Sequence, residues 1–374
     1  MKRSHKIFTA VAAVAAAVGT YYYLDRNARG EIKKDIAALV EPVGARPLTA
    51  EKRGGGVVGI DMPKGGLRLL YLTDLHLTAG HFTKESDRTM LRDVVAIVRA
   101  SRPDLIVLGG DFISPIFVSS FTRDSLTQAA AVGELMERLG VPWSFLPGNH
   151  EQDGHAPLST VVKELYLHKP LHSKAPATEG VNTCLLLHRN QKPVHSLFLM
   201  DTHTTSNGHW DGVRTGQTEW YFRTATGFGV PNTVLCHIPL TSYADSFRAA
   251  KDGSGEKLFG KGRAGTRAAD YGFDNALRDA GCRLVLCGHN HFQNWIVRGE
   301  DGITRGYNLS MDHSVYPQSH IMRSHLGGTL LVYGEDGGLQ LERYHAKAGD
   351  EIAFFAPEEE KATVLTAEKD AIFS

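Results

Sequence analysis

Apolar positions between residues 67 and 146 alternate between two periods. Residues 67–73 form a short apolar run, and 87–100 carry a helix-period pattern with Leu91, Val94, Val95 and Val98 on one face. Pro103 breaks that helix, and 105–108 form a second apolar run. A further helix over 126–139 leads to a third run at 143–146. Short apolar strands separated by single helices predict βαβ units and a mostly parallel sheet. Beyond them, 183–188 and 196–200 read as neighbouring strands and 217–226 as a helix. Strands at 233–235 and 284–287 flank a loop, 243–272, rich in Gly, Lys and Arg, and 273–279 is a helix before the second. A hairpin around Asp336-Gly337-Gly338 joins 329–333 to 339–344.

The N-terminus follows another pattern. Lys2, Arg3 and Lys6 precede an uncharged stretch, 7–24, that closes on Tyr21, Tyr22 and Tyr23. As a helix rising about 1.5 Å per residue it is just long enough to cross a bilayer core, with tyrosines suited to the headgroup interface. The expectation is a single-pass anchor and a membrane-associated chain. Its rivals are a cleaved signal peptide ending near Ala15-Ala16-Ala17, which implies secretion, and a mitochondrial presequence. Basic residues flank both ends, so orientation is unreadable. Residues 31–40 read as one short amphipathic helix stopped by Pro42, and 44–59 as a linker. The predicted division is 1–24 anchor or signal, 25–65 linker, 66–345 one α/β domain, and 346–374 a charged peripheral tail.

Composition changes this picture little. A chain of 374 residues, 42% hydrophobic and 22% charged, buries a large core. Its 41 basic and 41 acidic side chains balance, so there is no strong nucleic-acid signal. Cys184, Cys236, Cys282 and Cys287 lie in or beside apolar runs without zinc-finger or CxxC spacing, and read as small buried hydrophobes. Histidine, at 18 residues, is the informative excess.

Five strands end alike, in an apolar run followed by a polar cluster. These are Asp74-Leu75-His76, Gly109-Gly110-Asp111, Gly148-Asn149-His150-Glu151, Cys236-His237 and Gly288-His289-Asn290-His291. Ligands of α/β sheets bind outside the carboxyl ends of strands, so five such clusters point to one place. Carboxylate and imidazole without thiolate suit a pair of Zn, Fe, Mn or Ni ions. In an extended strand end Asp74 and His76 would point the same way, as would His289 and His291. Each motif alone is an ordinary turn; the ordered set is not.

In that order the motifs resemble the calcineurin-like metallophosphoesterase superfamily, over about residues 67–344. Gly216-Gln217-Thr218-Glu219-Trp220 before His237-Ile238-Pro239-Leu240 resembles its purple-acid-phosphatase-like branch. The metal-binding tyrosine of true purple acid phosphatases is replaced by Ser114, so no Fe(III)–tyrosinate is expected. The resemblance implies a four-layer αββα sandwich and makes 66–345 the catalytic domain. It implies one metal on Asp74, His76 and His291, a second on Asn149, His237 and His289, and Asp111 bridging both. His150 would serve the leaving group as the catalytic residue. Two ions (Mn, Fe or Zn) would share a hydroxide and hydrolyse a phosphomonoester or phosphodiester. Asp201 is a candidate partner for His150; His203 and His209 are candidate substrate contacts against a default of loop histidines. Glu151 is assigned to turn geometry or to support of the ligands, not to a metal. The rival readings are a catalytically silent binding scaffold and a nuclease or lipid phosphodiesterase.

Overall fold

The computed structural model describes residues 2–116, 122–176, 178–264, 268–315, 325–346 and 361–365. Strands are numbered in chain order. The first sheet has nine strands, edge to edge: β1 (Thr49–Gly54), β2 (Val57–Asp61), β6 (Thr183–Arg189), β7 (Lys192–Met200), β10 (Asn232–Cys236), β12 (Cys282–Cys287), β14 (Thr304–Tyr307), β13 (Ile296–Arg298) and β11 (Glu256–Phe259). The second has six: β17 (Lys361–Leu365), β16 (Leu339–His345), β15 (Gly327–Tyr333), β3 (Leu67–Leu72), β4 (Leu105–Gly109) and β5 (Trp143–Leu146). Both are mixed around a parallel centre: β7, β10, β12 and β14 in one, β3, β4 and β5 in the other.

Side-chain alternation divides the apolar residues between layers. Leu67, Leu69 and Tyr71 of β3 meet Leu284 and Leu286 of β12 in the core between the sheets. Leu70 and Leu72 face the other way, toward helices α1 (Lys2–Leu39), α2 (Lys84–Ser101), α3 (Ser125–Leu139) and α4 (Leu158–Leu167). Val285 and Cys287 face α5 (Thr215–Phe228), α6 (Tyr243–Asp252) and α7 (Phe273–Asp279). The result is the expected αββα sandwich. Tyr71 pins its two sheets together beside the site, its hydroxyl donating to the Cys236 carbonyl at 2.8 Å. All four cysteines are buried and free.

Three sequence expectations need correction. Much of the segment read as a linker is domain: β1 and β2 extend the nine-stranded sheet, β2 lying parallel to β6. Its Gly54-Gly55-Gly56 run supplies the turn between those strands, with φ of 75°, 62° and 85°. The 243–272 loop opens with α6 and contains β11. The tail contributes β17, paired antiparallel with β16.

The N-terminal segment is one 38-residue helix, α1. Among the described residues no helix is long and apolar enough to cross a membrane, so the expected anchor finds no support. Between residues 9 and 24, alanine, threonine and tyrosine outnumber valine and leucine, which limits the apolar gain. Residues 9–20 are exposed all round. The second half buries Ala28, Ile32 and Ile36, one face at four-residue spacing, and Val40 continues that contact just beyond its end. Ion pairs frame that contact: Arg29 with Asp124, Lys84 with Glu31, and Arg88 with Asp35. Ile36→Ala should therefore destabilise the fold by about 2–4 kcal/mol, while Val14→Ala should change stability by less than about 0.5 kcal/mol. Urea unfolding of both variants checks this; equal midpoints would mean that α1 is not part of the domain.

Candidate metal centre

The polar clusters leave the carboxyl ends of β3, β4 and β5 in one sheet and of β10 and β12 in the other, so the site lies where the two sheets converge. The loops after β3 and β4 continue side by side: Asp74 N donates to Gly110 O and His76 N to Asp111 O, both at 3.0 Å. Asp74, His76, Asp111 and His289 all have positive φ, 55°, 46°, 51° and 69°. Four left-handed non-glycine residues in one site are strained backbone, held by what surrounds them. The residues expected to alternate as extended strand ends are therefore turned, and His289 and His291 serve different clusters. Glycines leave the room this needs. A Cβ on Gly110 would lie 2.6 Å from His237 Nδ1, and one on Gly288 would lie 2.6 Å from Asp74 Oδ2.

Two triads result, each with ligand atoms within 4.8 Å of one another: Asp74, His76 and His291, and Asp111, His237 and His289. In the first, His291 Nε2 lies 3.2 Å from Asp74 Oδ1 and 3.2 Å from His76 Nε2. In the second, His237 Nε2 lies 2.9 Å from Asp111 Oδ2 without hydrogen-bond geometry. Asn149 Oδ1 faces His289 Nδ1 at 2.8 Å. Asp111 stands between the triads, its Oδ2 also 4.0 Å from His76 Nε2 and 3.8 Å from His150 Nε2. All seven sequence-selected ligand candidates thus come together, with His150 beside them.

The residues fit a pair of cations on chemical grounds. The His237 Nδ1–H donates to the Gly109 carbonyl at 2.9 Å, leaving Nε2 as a buried lone pair aimed at a carboxylate oxygen. Two imidazole nitrogens 3.2 Å apart, on His76 and His291, likewise need a proton or a cation between them. Attraction between carboxylate and imidazole competes with burial throughout the site. Burial pushes Asp111 up, but His237, His150 and His76 outweigh it and hold the carboxyl well below its usual range. Burial pushes His237 down, but Asp111 prevails and raises it to about 9. His76 and His289, driven mainly by burial, fall to about 4 and about 3.

Residues outside the triads fix the geometry. Glu151 is buried and accepts from the backbone N–H groups of Gly148 at 2.5 Å, Phe112 at 2.8 Å and Asp111 at 3.2 Å, tying the β4 and β5 loops together. This is the turn role expected for it. Asp312 stands outside the sequence motifs: its Oδ2 lies 3.1 Å from His291 Nδ1, and its Oδ1 accepts from Ser314 N and Val315 N. No spacing signal marks it, because it arrives from the loop after β14. His150 Nδ1 pairs with Asp153 Oδ2 at 2.6 Å, three residues on. Asp201 is not its partner; buried, it accepts from Val181 N and His203 N. His203 pairs with Gln217 Oε1 at 2.9 Å, and His209 is exposed. Trp210, next to His209, was also missed; its ring meets that of His289 edge-on, with centroids 4.5 Å apart.

The calcineurin-like phosphoesterase family model matches residues 67–293. A protein named "Probable inactive purple acid phosphatase 14", from Arabidopsis thaliana, is 24% identical over 228 residues. That match covers 48% of this chain and 55% of the relative, so the two share about half their lengths. The likeness supports the purple-acid-phosphatase-like branch that the 216–240 motifs suggested. By the extent of the family match, the chain belongs to the calcineurin-like phosphoesterase family.

Proposed function

We propose that this protein hydrolyses a phosphomonoester or phosphodiester through a dinuclear metal centre. The observation that carries the reading is the pair of buried triads that meet at Asp111. In this reading Asp74, His76 and His291 would hold one ion, Asn149, His237 and His289 would hold the other, and Asp111, whose Oδ2 faces both triads, would serve the two. When bound, two divalent cations supply Lewis-acid charge that activates water and offsets the phosphoryl oxygens. The chain's own residues set up that chemistry. Asn149 contributes an amide oxygen without further negative charge, which keeps the site electrophilic. Gly109 and Asp312 fix the ring orientations of His237 and His291.

His150 lines the same pocket as His76, Asp111, Asn149, His289 and His291. Burial disfavours its charged form, but Asp111 and Asp153 outweigh that and raise it to about 9. With Nδ1 held by Asp153, Nε2 faces the pocket and can donate its proton to a leaving alkoxide.

The relative's name offers a second reading, a catalytically silent scaffold. That name describes the relative, whereas this chain retains every ligand candidate and His150. The balance of 41 basic and 41 acidic side chains counts against a nuclease. Parallel assays with bis-aryl and mono-aryl phosphates separate a diester from a monoester specialist.

Two expected outcomes test the proposal. Asp111→Asn should lower both bound metal, measured by elemental analysis, and aryl phosphate hydrolysis by at least about 100-fold. Full activity in that variant after metal stripping would sink the reading, and two tightly bound metals without turnover would favour the scaffold. Asp153→Asn should reduce kcat about 10–100-fold on an alkyl phosphate but only a few-fold on p-nitrophenyl phosphate, whose leaving group needs little proton help. Equal losses on both substrates would remove the leaving-group role from the His150–Asp153 pair.

A further inference from the structure

The pocket over the triads is a cavity of about 290 Å³, and part of its wall plays no role in holding a cation. That part consists of Trp210, Asn290, Phe292 and Val315. Three of the four are apolar. Among the described residues no lysine or arginine lines the pocket. Apolar wall and candidate metal site are continuous, since Trp210 packs edge-on against the His289 ring and Phe292 directly follows His291.

Both aromatics are placed by backbone. Trp210 ends the short hairpin of β8 (Thr205–Ser206) and β9 (His209–Trp210), and its carbonyl accepts from Ala269 N at 3.0 Å. The backbone N–H of Phe292 donates to Asn290 Oδ1 at 3.3 Å. Its side chain remains 45% exposed, although it follows a buried histidine. Phe292 and Asn290 also line an adjoining cavity of about 480 Å³ with Gly262, Arg263 and Gln293, so Phe292 forms the shoulder between the two spaces. Aromatic rings favour offset or edge-to-face contact with other rings, and apolar walls beside a few polar groups are the usual lining of a ligand pocket.

We propose that the organic part of the substrate is a flat apolar group, an aryl or similar unsaturated ring, seated against Trp210 and Phe292 with its phosphate at the triads. The proposal rests on the phosphoesterase reading above and adds the class of ester. Substrates whose first atoms beyond the phosphate are charged would leave this wall without a complementary surface.

The test uses the full chain with bound metal, p-nitrophenyl phosphate as reporter, and benzylphosphonate, methylphosphonate and inorganic phosphate as inhibitors. Benzylphosphonate should inhibit about tenfold more tightly than methylphosphonate in the wild type. That ratio should fall toward one in Phe292→Ala and be partly restored in Phe292→Leu. Because Phe292 is exposed, these variants should fold, and the ratio cancels any general loss of active protein. Trp210→Phe should keep much of the ratio but remove the tryptophan fluorescence change caused by benzylphosphonate. A wild-type ratio near one, or a ratio unchanged in Phe292→Ala, overturns the proposal while leaving the phosphoesterase reading intact. Absence of both hydrolysis and calorimetrically detected phosphate binding in the metal-loaded wild type sinks that reading and the proposal with it.

Discussion

Asp111 is a carboxylate buried where two sheets meet, and much of the surrounding structure serves to keep it charged there. An isolated buried carboxylate is expensive and would normally take up a proton. Here His150 N donates to Oδ1 at 2.8 Å, while His237, His150 and His76 surround Oδ2. Its own backbone N–H is held by Glu151, itself buried, whose pKa rises to about 7 through burial and then Asp111. The two carboxylates thus oppose each other's ionisation across one turn. Positive charge nearby resolves that conflict, and in this fold the triads are its natural location.

Strain is the second consequence. Asp74, His76, Asp111 and His289 occupy a backbone region that ordinary residues avoid, at a cost of order 1–3 kcal/mol each. The surrounding contacts over-determine them. Asp74 Oδ1 accepts from His289 N at 3.0 Å, so two strained residues from different sheets hold each other. Gly110 and Gly288 have no room for a side chain beside them. Replacing the glycines would disturb the ligands before it disturbed the core.

Strand ends made the ligand set legible. An apolar run that stops abruptly at Asp, His or Asn marks both an element and the edge where loops converge, so Asp74 to His291 were readable without coordinates. The same logic misread residues 44–59, because a glycine-rich turn between two strands has the composition of a linker. It also missed partners defined only by space. Asp312 reaches His291 from a loop after β14, and Trp210 reaches His289 from a two-residue strand, with no periodicity attached to either. Asp153 was within reach of sequence reasoning, since a carboxylate three residues after a histidine can fold back onto it in a turn. Asp201 drew attention instead because it ends an apolar strand, yet its buried carboxyl is consumed by Val181 and His203 backbone N–H groups.

The division of labour inside the pocket follows from these constraints. If cations at the triads take the phosphate charge, no arginine is required to bind it, and positive side chains nearby would repel the metals. The remaining wall is then free to be apolar, and Trp210, Phe292 and Val315 occupy it. Segments 202–216 and 243–272 flank that wall: the first carries Trp210, and the second reaches the adjoining cavity at Gly262 and Arg263. Charge recognition therefore resides in strand-end residues fixed by the fold, and shape recognition in the loops between them. A change of substrate within this architecture would require altering residues such as Trp210 and Phe292 while leaving the environment of Asp111 untouched.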